Sequence, residues 1–393
     1  MKSGIVIVSA VRTAIGKFGG SLSTLSAPTL GAQMMTAALQ RSGVEPDCVE
    51  QIVFGNVLQA GLGQNPARQA MLEAGIPQST PATSINMVCG SGLQSVIFAA
   101  ETLAAGDADV VLAGGMENMS AAPYLLDKAR WGYRLGDQRV VDSVVNDGLS
   151  CAINHYHMGM TAENVARQCD ISRQHQDQLA LLSQQRAAAA IDRGDFREEI
   201  VPVVVRNKKG DTLFCVDEHP RAGVTMEDLA RLSPAFSNDG SVTAGNASGI
   251  NDGAAALLLM SEQRAHEQGI TPLARVRSYA ACGVDPALMG LGPIPATRLA
   301  LRRAGMSIAD LDLLEVNEAF AAQSIAVARE LDLDWERTNV NGGAIALGHP
   351  IGASGARILV TLLHALARRD KTVGLATLCV GGGQGVAMIV ERI

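Results

Sequence analysis

An internal repeat constrains the fold of this chain more than any other feature. Cys89-Gly90-Ser91-Gly92 aligns with Gly352-Ala353-Ser354-Gly355. A helix-forming stretch follows in both copies, Leu93 to Ala105 and Ala356 to Arg368. An apolar strand follows each helix, Val110-Val111-Leu112-Ala113 and Val373-Gly374-Leu375-Ala376. A chain that repeats a helix-and-strand unit far apart reads as two similar α/β halves, each burying one face of a sheet.

Strand-like and helix-like segments alternate through residues 1–120. Gly4 to Ser9 reads as a strand, Ala27 to Arg41 as a helix ending at Gly43, and Gln51 to Asn56 as a strand. Leu93 to Ala105 is a helix closed by Gly106, and Asp109 to Ala113 a strand running into Gly114-Gly115. Such alternation predicts βαβ units and a mostly parallel sheet. The apolar run within Met1 to Val8 is too short for a signal peptide and is followed at once by Arg12 and Lys17; it reads as a first buried strand.

Residues 121–245 break the alternation. They are richer in charge, His, Gln and aromatics, and carry a long helix, Ser172 to Arg193. Ser172 suits its N-cap and Gly194 its C-terminal stop. Core composition returns with Ala254 to Met260. The division that results is a first half of 1–120 plus 246–270, an insertion of 121–245, and a second half of 271–393. Long insertions on a rigid scaffold commonly shape a binding site.

The 393 residues are 47% hydrophobic and only 3% aromatic, which suits small aliphatic side chains packed between helices and sheets. A net charge of −7 and the lack of a long basic run disfavour nucleic acid as a partner. No uninterrupted apolar stretch is long enough to span a bilayer, so no membrane partner is expected. Seven scattered cysteines without a CxxC pair or zinc spacing fit a reducing, cytoplasmic setting.

Three reactive residues sit among glycines. Cys89 precedes a Gly-Ser-Gly helix start, where free N–H groups and the helix dipole are expected to lower a thiol pKa. His349 lies in Gly348-His349-Pro350-Ile351-Gly352 and could act as a general base; the plain alternative is a satisfied core histidine. Cys379 ends a strand at Gly381-Gly382-Gly383. Those glycines could aim N–H groups at an oxyanion, or serve only the positive φ of a hairpin. Asn317-Glu318-Ala319-Phe320 follows a strand and could be a helix cap alone. His155 and His157 stand without the ligand spacing of a zinc site, so no metal site is expected.

Taken with Gly114-Gly115-Met116-Glu117-Asn118-Met119-Ser120 and Gly245-Asn246-Ala247-Ser248-Gly249, these motifs resemble the thiolase family over essentially the whole chain. The resemblance is to its short-chain, biosynthetic branch. It implies a duplicated fold, two similar halves in five α-β-α-β-α layers, with an inserted loop domain. It implies reversible Claisen condensation of two acetyl-CoA to acetoacetyl-CoA and CoA. Coenzyme A thioesters would be substrates, with no bound cofactor and no metal.

The roles implied are specific. Cys89 would carry the acetyl group and His349 would activate it. His349 and a water on Asn317 would hold the enolate oxygen, the N–H groups of Cys89 and Gly381 the second oxyanion. Cys379 would take the α-proton. His157, Met158 and Ser248 would contact pantetheine, and Arg221 would lie near the CoA phosphates. Leu149, Met158, Phe236, Met289, Ala319 and Phe320 would wall the acyl pocket. Asp228 departs from the family, placing an acid where relatives often carry a small polar residue near the adenine. Tyr124 to Val141 matches a hairpin through which relatives form tetramers, which implies a homotetramer. A broader-range 3-ketoacyl-CoA thiolase is the nearest rival; a ketosynthase or a non-catalytic acyl-CoA binder are further ones.

Overall fold

A computed structural model describes residues 4–206 and 210–393. Met1 to Ser3, the start of the expected first strand, lie outside the described residues. The first half supplies β1 (Ile5–Arg12), α1 (Ala27–Ser42), β2 (Gln51–Gly55), α2 (Pro66–Glu73), β3 (Ala82–Ile85), α3 (Ser91–Ala105) and β4 (Val110–Asn118). Residues 121–245 include α4 (Met158–Gln168) and α5 (Arg173–Arg193), after which β5 (Asn251–Ser261) closes the half. The second half runs β6 (Ala274–Gly283), α6 (Pro293–Ala304), β7 (Leu313–Val316), α7 (Ala321–Leu331), α8 (Ser354–Arg368), β8 (Val373–Val380) and β9 (Gln384–Arg392).

The repeat is visible in the strand order β3-β2-β4-β5-β1-β6-β9-β8-β7. Read outward from the middle, β1, β5, β4, β2 match β6, β9, β8, β7. Among the described residues, the two sheets pair only where Val6 and Ile7 meet Arg275 and Ala274. Strand faces alternate as the pleat requires. On β4, Val110 and Leu112 pack outward with Leu30, Met34 and Met71. Val111 and Ala113 pack inward with Leu93, Ile97, Ile358 and Leu362. Beyond the second sheet, Ala300 and Leu301 of α6 and Val327 of α7 cover Leu314, Leu375 and Ile389. The order is helix, sheet, helix, sheet, helix, with α3 and α8 as the central layer. That position explains why Val88–Ala105 is apolar enough to mimic a membrane span.

The sheet is mixed, which corrects the expectation of a mostly parallel one. Only β2–β3, β2–β4 and β7–β8 run parallel. β8 and β9 are joined by a tight turn, so they must be antiparallel. β5 returns from a long excursion at the end of β4 it left from, without a crossover helix, and pairs antiparallel with it. β4 also runs through Gly114-Gly115 instead of ending at Ala113. Neither glycine has room for a side chain: a Cβ would collide with Ala255 O at Gly114 and with Gly352 O at Gly115.

Glycines also set the contact between the two central helices. A Cβ on Gly92 would lie 2.6 Å from Ala356 N, and one on Gly355 would collide with Leu93 N. These residues are equivalent in the repeat, so the two helix starts meet backbone to backbone. α5 begins with Ser172 Oγ accepting from His175 N–H at 3.2 Å and ends at Gly194 with φ 74°. The 121–245 segment is pinned to the core by charge: fully buried Arg12 of β1 bonds Glu199 at 2.6 Å and Asp217 at 2.7 Å.

Candidate active site

The chain after β3 turns sharply into α3, and the turn holds Cys89. Val88 takes φ 45°, a strained value for a β-branched side chain. The strain is held by Asn86 Oδ1 accepting Val88 N–H at 2.9 Å and by Ser91 Oγ, which accepts Met87 N–H at 2.8 Å and donates to Val88 O at 2.7 Å. The N–H groups of Gly381 and of Cys89 itself face the Cys89 sulfur. They do not win: burial pushes the thiol up to about 11. This corrects the expectation of a lowered pKa. The helix start lies inside the molecule, and loss of water there outweighs two N–H donors.

His349 is buried on the loop before α8. Gly348 takes φ 105°, with its backbone so close to Asn251 that a Cβ would overlap that side chain. Asn251 Oδ1 accepts His349 N–H at 2.9 Å. Nδ1 lies 2.5 Å from Ser354 Oγ, which donates to Pro350 O at 2.9 Å. With that hydroxyl proton on Pro350, Nδ1 is the donor and Nε2 keeps its lone pair. Nε2 has no partner among the described residues. Burial, then the charge of Arg357, holds the imidazole pKa down to about 3, so the ring is neutral at pH 7.

Cys379 ends β8 and is fully buried among Met158, Met289, Ala319 and Phe320. Its pKa is raised by burial and then by the nearby Cys89. The following glycines divide between a turn and the cavity. Gly382 and Gly383 take φ 82° and 86° and make the hairpin. Gly381 is the one that faces Cys89.

Asn317 is buried between β7 and α7, with neither Oδ1 nor Nδ2 partnered among the described residues. A buried amide without partners is a place for ordered water. The helix-cap alternative fails here, because the N-cap of α7 is Phe320 and makes no side-chain bond. Glu318 instead accepts from Ser183 Oγ at 2.7 Å, Asn339 Nδ2 at 2.8 Å and Ile345 N–H at 3.2 Å.

These groups surround a cavity of about 390 Å³. Cys89, His349 and Gly381 line it, as do His157, Met158, Arg221, Ser248, Leu149, Phe236, Met289, Ala319 and Phe320. Cys379 lies behind the wall formed by Met158, Met289, Ala319 and Phe320, and Asn317 does not line the cavity. His157 stacks on Phe236 with centroids 4.7 Å apart, and Phe236 meets Phe320 edge-on at 6.2 Å. Leu149 reaches the cavity from a π-helical turn, Val144–Leu149. Asp228 does not line it: the carboxylate accepts from Thr225 N–H at 3.1 Å and closes a capping box. Sequence reasoning missed His219, which lines the cavity against Gly249 and is held down to about 4 by burial and Arg221. Its place two residues before Arg221 in a polar loop was the available signal.

A duplicated α/β fold with a thiol and an imidazole on one cavity and a second thiol behind its wall is an arrangement suited to acyl-thioester chemistry. The family model for the thiolase N-terminal domain matches residues 5–263, and that for the C-terminal domain residues 270–392. The chain belongs to the thiolase family. It is 61% identical over 389 residues to the acetyl-CoA acetyltransferase of Escherichia coli (strain K12), covering 99% of each chain. It is 58% identical to that of Chromobacterium violaceum, again covering 99% of each. The crystal structure of the Bacillus anthracis acetyl-CoA acetyltransferase superposes with TM-score 0.98 at 48% identity, over 100% of this chain and 99% of that one. Human mitochondrial 3-ketoacyl-CoA thiolase superposes with TM-score 0.97 at 46% identity, with the same coverage.

Proposed function

We propose that this protein is an acetyl-CoA C-acetyltransferase, condensing two acetyl-CoA to acetoacetyl-CoA and CoA through an acetyl group on Cys89. The observation that carries the reading is the cavity that joins Cys89, the unpartnered Nε2 of neutral His349 and the Gly381 N–H. Nε2 takes the Cys89 proton; the thiolate attacks the acetyl carbon, a Cys–acyl bond forms and the bond to CoA breaks. Proton balance then calls for the departing CoA thiolate to take the Cys379 proton. The Cys379 thiolate removes the α-proton of the second acetyl-CoA. Its enolate carbon attacks the acetyl carbon, and Cys89 leaves as thiolate.

Each oxyanion is assigned its donors in this reading. The N–H groups of Cys89 and Gly381 suit the oxygen of the acetyl on Cys89. The protonated Nε2, with a water on the unpartnered Asn317 amide, suits the enolate oxygen. A thioester α-proton is too weakly acidic for a thiolate at neutral pH without such donors. The scheme uses no resident cofactor or metal. His157, Met158, Ser248 and Arg221 hold the CoA portion.

The relatives named as acetyl-CoA acetyltransferases, at 54% identity and above, favour the short-chain reading over a broad-range ketoacyl thiolase. The bulky walls Leu149, Met158, Phe236, Met289 and Phe320 support it. Thiolysis of 3-ketoacyl-CoAs from four to sixteen carbons tests it. Activity should fall steeply beyond the shortest substrate; comparable rates on the long ones would point to the rival. We also propose a homotetramer, supported by the exposed hairpin of Tyr124–Leu126 with Val140–Asp142, and a cytoplasmic setting, supported by seven free thiols.

A further inference from the structure

The motif containing Glu117 borders the site but has no part in the scheme above. Glu117 is fully buried within the last residues of β4, and both its oxygens are occupied. Oε1 accepts Asn56 Nδ2 at 2.9 Å and Leu58 N–H at 3.2 Å. Oε2 accepts Val57 N–H at 3.1 Å and Gly352 N–H at 2.9 Å. Three of these donors follow β2 in the first half. The fourth belongs to the loop of the second half that carries His349. The fit is close: a Cβ on Gly352 would lie 2.6 Å from Oε2. Around this clamp Val57, Leu58, Met119, Val144 and Ile351 form one small core, and Cys89 packs against it.

We propose that Glu117 is a positioning residue for the Cys89–His349 pair, its ionised carboxylate clamping the His349 loop onto the half that carries Cys89. The inference rests on the acyl-transfer reading above. Four donors around one carboxyl call for its ionised form, since a protonated oxygen would set O–H against N–H. Burial, with the charge of Asp252 after it, opposes them and pushes Glu117 up to about 7, so the clamp engages fully only above neutral pH. The other ionisable groups about Cys89 are Cys379 behind it and His349, His157, His219 and Arg221 on the cavity wall. Burial lowers all three histidines, so they stay neutral. The charge of Glu117 adds to the burial that raises the Cys89 thiol.

The test is the pH profile of Cys89 alkylation by iodoacetamide in the intact protein, alongside condensation rate and thermal unfolding. Glu117→Gln should move the alkylation midpoint down, because it removes a charge that raises the thiol while leaving the burial that dominates it. It should also slow condensation about a hundredfold. A fall in melting temperature with an unmoved midpoint overturns the proposal. Glu117→Asp keeps the charge but not the reach to Gly352: the midpoint should stay and condensation should fall, and wild-type condensation in that variant overturns the clamp even if Glu117→Gln does not fold. Alkylation does not require acetyl transfer. A wild-type protein that never acetylates Cys89 would therefore sink the functional reading and not this measurement.

Discussion

At Cys89 two effects oppose each other, and their balance fixes the resting state. N–H donors favour the thiolate, burial favours the thiol, and burial prevails with a pKa of about 11. A thiol with a raised pKa ionises only as pH climbs towards that value. Alkylation of Cys89 in the ligand-free protein should therefore keep rising well above pH 8.5, the ordinary range of a free cysteine; a plateau by neutral pH would show a preformed thiolate. Cys379→Ala should still take up acetyl on Cys89 and lose condensation, read by rapid-quench mass spectrometry and a spectrophotometric assay; normal condensation would contradict the two-thiol scheme. Much of this was legible in sequence, because Cys89, His349 and Cys379 each stand among glycines. The sign of the Cys89 shift was not, since burial of a helix start is a tertiary property. Glu117 was equally hidden: a carboxylate in a glycine-rich strand has no local signature of the donors it will meet.

Among elements, the contact of α3 with α8 is the one the repeat dictates. Gly92→Ala or Gly355→Ala puts a methyl against backbone rather than a side chain that could yield. Each should cost about 1–3 kcal/mol of stability or more, read by denaturant unfolding. A neutral result would mean the helix starts are farther apart than described. Arg12→Ala leaves Glu199 and Asp217 buried without their cation and should cost about 3–5 kcal/mol by the same measurement. Helix limits were well marked in sequence, since Ser172, Gly43, Gly106 and Gly194 cap and stop helices by local chemistry. Strand direction was not. Alternation of elements predicts parallel pairing only when a helix crosses between neighbouring strands, and β4–β5 and β8–β9 are joined otherwise.

In the whole molecule, the two halves bring matching helix starts together, and the site forms between them under a lid of inserted residues. The same insertion carries a hairpin that is uncovered among the described residues: Trp131 is 81% and Leu135 93% exposed. Trp131→Ser with Leu135→Ser should convert the proposed tetramer to a smaller species by light scattering; an unchanged mass would place the assembly surface elsewhere. The account as a whole depends on one covalent event. Mixing the protein with acetyl-CoA, quenching and mapping peptides by mass spectrometry should find a single acetyl group on Cys89, absent in Cys89→Ala. No adduct, or an adduct on another residue, would contradict it.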